Sequence, residues 1–185
     1  MTRPRSVLIA FIAVVAVFVI THALKFPGSL AYLMEATGGQ KILDMQASFS
    51  SAETYRRLEA MGEFGRRMYL RTVLTIDLVF PLAVFFFFTT LARFSRERLG
   101  LRPTLDEMVR VMPAAYLALD FIENLIILAL LWNFPERLEL LGSVVGYFTR
   151  GKRIAMALAM FLPPALLLTT IGRGQGCCRP SASSF

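Results

Sequence analysis

Cysteine is almost absent: two residues in 185, adjacent as Cys177-Cys178. Chain neighbours are poorly placed to pair with each other, so no disulfide scaffold underlies this fold. The single histidine, His22, excludes a His-rich metal site. Charge is scarce as well, at 18% of residues, whereas 56% are hydrophobic and the mean hydropathy is +0.58. A soluble domain is roughly 45–50% apolar with about a quarter of its residues charged. The apolar excess falls in blocks, which excludes disorder and an ordinary soluble enzyme. No P-loop, dinucleotide fingerprint, zinc pattern or serine nucleophile elbow is present. The few charges are one-sided: 20 Lys and Arg against 13 Asp and Glu give a net +7. In a soluble chain that excess suggests nucleic acid. In an apolar chain it marks basic flanks at a lipid bilayer, and no nucleic-acid partner is expected.

Long hydrophobic runs are what the chain has in quantity. A bilayer core about 30 Å thick takes roughly 20 apolar residues in helix. Four windows fit, at residues 7–24, 72–92, 111–132 and 154–171, the third closed by an interfacial Trp132. Backbone groups in lipid must bond within their own segment, and no alternating pattern supports a barrel. The chain therefore reads as an all-α polytopic membrane protein. One domain over residues 1–171 is a four-transmembrane-helix bundle, followed by a flexible tail at 172–185. The first window could instead be a cleaved signal peptide, with Thr21-His22-Ala23 a passable cleavage site. Its apolar run exceeds the usual stretch of about 7–15 residues, which favours a retained span. The most basic short connection holds Arg93, Arg96, Arg98 and Arg102. Positive loops stay cytoplasmic, which puts both termini inside and the 25–71 loop outside. Cys177 and Cys178, just past the last span, are either palmitoylated or plain thiols.

The 25–71 loop has its own structure. Pro27-Gly28 and Gly38-Gly39 mark turns. Ser50-Ser51-Ala52-Glu53 reads as a capping box, with Glu53 reaching back to Ser50. The short amphipathic helix after it carries Tyr55, Leu58 and Met61 on one face and stops at Gly62. It serves as a lid over the helix ends or as a gate to a cavity.

Ionisable residues inside the spans carry the functional signal. Asp77 lies six positions into the second window, about 7–8 Å deep at 1.5 Å per residue. Asp120 and Glu123 lie near the middle of the third. Three carboxylates facing lipid would cost close to ~10 kcal/mol, so they are expected to face the bundle interior. Tyr116, Asp120, Glu123, Asn124 and Ile127 share one helical stripe. Pro81 has no N–H, so the Asp77 carbonyl loses its helical partner and a polar notch forms. Pro163 and Pro164 do the same in the fourth span. Alternating span directions bring His22, Asp77, Glu123, Asn124, Lys152 and Arg153 to one half of the bundle. The four phenylalanines at 85–88 circle a full turn and read as lipid-facing bulk.

Three strings, Tyr69-Leu70-Arg71…Asp77-Leu78-Val79-Phe80-Pro81, Asp120-Phe121-Ile122-Glu123-Asn124 and Phe148-Thr149-Arg150-Gly151-Lys152, carry a resemblance. Over most of residues 38–171 the chain resembles small uncharacterised bacterial four-span integral membrane proteins. The resemblance implies the architecture and points to the same acids and Lys152, but implies no activity.

Neighbouring acids in one cavity can divide into a proton donor and a proton acceptor. These residues point to a membrane-embedded acid–base enzyme, of isomerase, cyclase or hydrolase type, on a lipid-like or isoprenoid substrate, with no metal or cofactor. Asp77 and Glu123 would exchange protons, Asp120 and Asn124 orient them, and Lys152 stabilise charge, with Tyr116 and His22 against the substrate. Two alternatives stay open. One is a non-catalytic scaffold or complex subunit, partnered by a second copy or another membrane protein, in which each acid contacts a neighbouring helix. The other is a small proton-coupled carrier, against which the scarcity of polar residues in the inner half counts.

Overall fold

Prolines start two of the long helices and a glycine ends another. The computed structural model describes residues 2–174, with side chains to 168, and among these there is no strand. Helix α1 (Pro4–Phe18) opens on Pro4 and continues into a π-helical turn at Val19–Ala23. Helices α2 (Leu30–Ala36), α3 (Ser51–Ala60) and α4 (Gly62–Val73) follow in the first loop. Three long helices complete the chain: α5 (Ile76–Leu99), α6 (Pro103–Asn133) and α7 (Glu139–Gly174). Gly100 ends α5 in the left-handed region at φ 48°, and Pro103 restarts the chain as α6. Cys177, Cys178 and the rest of the tail lie outside the described residues. Gly172 to Gly174, which the sequence assigns to the tail, still belong to α7.

Among the described residues, four helices are long and apolar enough to cross a membrane: Pro4–Ala23, Gly62–Leu99, Pro103–Asn133 and Glu139–Leu168. Gly62–Leu99 and Pro103–Asn133 contain the second and third expected windows and run past them, the first window ends one residue beyond Ala23, and the fourth lies within α7. The 31 residues of α6 extend about 46 Å, well beyond a hydrocarbon core. The second window is the one whose start is corrected. Thr72 and Val73 are the last residues of α4, and the chain breaks at Leu74-Thr75 before α5 begins. Asp77 is thus the second residue of a helix rather than its sixth, where the N-terminal end of the helix dipole favours a carboxylate.

The first loop folds as a helical cap. Ser50 caps α3 by accepting the Glu53 N–H at 3.2 Å. The Glu53 side chain does not reach back; it pairs with Arg57, so only half of the capping box forms. Tyr55, Leu58 and Met61 are buried as their spacing requires, and Gly62 turns the chain at φ 66° into α4. Helix α3 rests on α7: Thr54 Oγ1 donates to the Gly142 carbonyl at 2.7 Å, and Tyr55 Oη accepts the Leu138 N–H at 2.6 Å. The larger core joins cap to bundle, with Leu33, Leu43, Leu58 and Tyr69 against Ile127, Leu130 and Val145. A smaller one lies deeper, with Val84, Phe88, Tyr116, Ala155 and Ala159. Phe88 is buried there against Tyr116, ring centroids 5.8 Å apart, so the four-phenylalanine turn is not all outward bulk.

Candidate functional site

The stripe on α6 faces inward throughout: Tyr116, Asp120, Glu123, Asn124 and Ile127 are each at most 4% exposed. Ile122 and Leu125 on the other side face outward. Helix α7 supplies the counter-charge. Lys152 Nζ lies 3.0 Å from Asp120 Oδ1 and also pairs with Glu123 Oε2. One turn earlier Thr149 donates its hydroxyl to the other Glu123 oxygen. Glu123 is therefore enclosed by two α7 residues. One ammonium between two carboxylates also leaves a net negative charge, which a low-dielectric interior makes costly unless hydrogen bonds share it.

Asn124 supplies those bonds and joins a third helix. Its Nδ2 donates to Asp120 Oδ2 at 3.2 Å and to the Asp77 carbonyl at 3.0 Å. That carbonyl is the one Pro81 leaves without a helical partner. The polar notch expected from the sequence exists, and an amide from α6 fills it.

The Asp77 carboxylate is placed differently from the other two. Its Oδ2 is buried and has no hydrogen-bond partner. It borders a cavity of about 180 Å3, with Phe80 and Pro81 of α5, Tyr116 and Asp120 of α6, and Lys152, Arg153 and Met156 of α7. His22 and Asp44 complete the lining. The π-helical turn at the end of α1 brings His22 there. Its ring stacks on Phe18 at 4.5 Å, meets Phe80 edge-on at 4.7 Å, and shares a hydrogen bond with Thr21 Oγ1 at 2.7 Å. Of the residues singled out from the sequence, Asp77, Asp120, Lys152, Tyr116 and His22 line the cavity. Glu123 and Asn124 stand behind its wall.

Sequence reasoning missed Asp44. Its carboxylate accepts the Tyr69 hydroxyl proton at 3.1 Å, and Tyr69 Oη in turn accepts the Leu43 N–H at 3.2 Å. Arg153 donates to the Asp44 carbonyl at 3.1 Å and to that of Met45, which pins the loop to α7 over the cavity mouth. No local pattern marks Asp44, because only the folding of the cap delivers it. Tyr69 and Thr149 do sit in the strings that carry the family resemblance, although nothing in their spacing assigns them a partner. Among the described residues no group of His, Cys, Asp and Glu side chains could hold a metal ion. In comparisons with known proteins, no family model matches the chain, and no curated protein or solved structure is found to be similar.

Proposed function

We propose that the chain is a four-span bundle in a bacterial inner membrane, both termini cytoplasmic, and a membrane-embedded acid–base enzyme on a lipid-like or isoprenoid substrate. The observation that carries this reading is the Asp77 oxygen Oδ2, buried without a hydrogen-bond partner at a cavity that a Lys–Asp pair also lines. An ionisable group inside a membrane domain is costly, so one left without a partner points to use rather than to architecture. Asp77 is the acid–base group. Lys152, held by Glu123 and Asp120, presents positive charge to developing negative charge, and Tyr116 and His22 border the substrate. Glu123 is then a positioning residue for Lys152, since it is fully buried outside the cavity. At about 180 Å3 the cavity takes the reacting end of a molecule, not a whole lipid. Full ligand pockets run from about 300 Å3. The remainder of the substrate lies along the bundle past Met156, which is 37% exposed.

Mass spectrometry of small molecules retained through purification in mild detergent tests this. A specific lipid-like species is expected with the unsubstituted chain and is lost from Asp77→Asn with helix content unchanged. Equal retention by both proteins overturns the assignment.

A second reading, a scaffold or complex subunit, is favoured by one feature: Asp120, Glu123 and Asn124 each contact a neighbouring helix. If Glu123→Gln lowers the melting temperature while ligand retention is intact, those three residues are interhelical ties. A proton carrier is disfavoured, because Val84, Phe88, Ala155 and Ala159 fill the bundle around Tyr116 with apolar side chains.

A further inference from the structure

At the end of the molecule opposite the cap, the seam between α1 and α5 is left open. No residue of α1 is buried, and the helix meets the long helices chiefly through α5. The seam widens there into a cavity of about 540 Å3 lined by Thr2, Arg3, Ser6, Thr90, Arg93 and Glu97. Next to it lies an apolar groove of about 340 Å3 lined by Pro4, Val7, Leu8, Phe11, Phe87 and Phe94. The two linings interleave along the chain, Arg3 beside Pro4, Ser6 beside Val7, Arg93 beside Phe94. A polar mouth therefore runs directly into an apolar flank.

The charges in the mouth are not balanced among themselves. Glu97, its one acid, is already engaged by the backbone N–H and the hydroxyl of Thr2. Nearby arginines are engaged too. Arg96 is held by Asp106 through two 2.6 Å bonds, Arg98 lies over the Phe94 ring at 3.6 Å, and Arg110 pairs with Glu107. Arg3 and Arg93 have no carboxylate partner among the described residues. Two such guanidiniums at the head of an apolar groove suit a phosphate attached to an acyl chain. Their planar forks match phosphate oxygens, and basic pockets between helices on the cytoplasmic side hold anionic headgroups.

We propose that the α1–α5 seam binds an anionic phospholipid, its phosphate between Arg3 and Arg93 and one acyl chain in the groove against Leu8, Phe11 and Phe87. The site requires membrane insertion but is independent of the acid–base chemistry at the far end. Native mass spectrometry of the full chain in mild detergent, offered equimolar phosphatidylglycerol and phosphatidylcholine, tests it. Phosphatidylglycerol is expected to be retained at least tenfold more. Arg3→Gln/Arg93→Gln abolishes that preference, and Arg3→Lys/Arg93→Lys keeps part of it. Arg56→Gln/Arg67→Gln, which removes equal charge from the cap, leaves it unchanged. If the double glutamine variant loses helix content, Leu8→Trp decides, since it fills the groove and spares both arginines: loss of the lipid supports the site and retention overturns it. Equal retention of the two lipids overturns the proposal, as does an unchanged preference in the glutamine variant. Displacement by millimolar inorganic phosphate means a free-anion site, and a lipid-free dimer means a second copy fills the seam; either overturns it. None of these substitutions touches the Asp77 cavity, so failure here leaves the ligand comparison with Asp77→Asn standing.

Discussion

Lys152 pairs with two carboxylates from one position on α7, with its side chain only 14% exposed. Removing one partner of a buried ion pair costs about 3–5 kcal/mol, because the other charge is left uncompensated. Lys152→Met is expected to lower unfolding stability in mixed micelles by about that amount. Adding Asp120→Asn and Glu123→Gln should recover most of the loss; a triple variant no more stable than the single would show that charge is not the cause. Asn124 makes a separable prediction. Its bond to the Asp77 carbonyl matters because Pro81 cannot donate there, so in a Pro81→Ala background the residue at position 81 donates instead. Asn124→Ala should then cost less than it does beside Pro81, by about 1 kcal/mol in a double-mutant cycle. No coupling would mean the amide is not filling the notch.

Helix α7 shows how closely the cap is seated. A Cβ at Gly146 would lie 2.2 Å from the Ser48 carbonyl oxygen, whereas one at Gly151 would meet Leu119 at an ordinary 3.5 Å. Gly146 also donates its N–H to that Ser48 oxygen at 2.9 Å. Gly146→Ala should therefore destabilise by about 1–3 kcal/mol as the loop is pushed off the helix. Gly151→Ala should be neutral or stabilising by up to about 1 kcal/mol through helix propensity. Thermal melts of the pair check this, and equal effects would contradict it. These glycines also show where sequence reasoning stops. The inward stripe from Tyr116 to Ile127 was legible because a 3.6-residue period fixes which side chains share a face. The Ser50 cap was legible because its bond spans three residues. Helices α2 and α4 were not, since α2 has only seven residues, α4 is short and charged, and both are held by tertiary packing. Gly146 meets Ser48, and Asp44 meets Tyr69, across separations that leave no local trace.

The molecule as a whole is polarised. The end formed by the start of α1, the end of α5 and the first turns of α6 holds seven arginines against three acids over residues 3–5 and 93–110. The cap and the Asp77 cavity occupy the other end. With that arginine-rich end cytoplasmic, Gln46→Cys in a chain lacking Cys177 and Cys178 should react with an impermeant maleimide in intact spheroplasts. Leu101→Cys should react only after lysis, and the reverse pattern would invert the orientation. The site is open to a chemical test, because the three acids on α5 and α6 differ in what holds them: Lys152 engages Asp120 and Glu123, and nothing engages Asp77 Oδ2. The most direct measurement is peptide mass spectrometry after treating the membrane-embedded chain with an apolar carbodiimide, which enters hydrocarbon and modifies accessible carboxyls there. The expected result is an adduct on Asp77 and none on Asp120 or Glu123. Modification of Glu123, or even labelling of all three, would contradict a site built around one unpartnered acid.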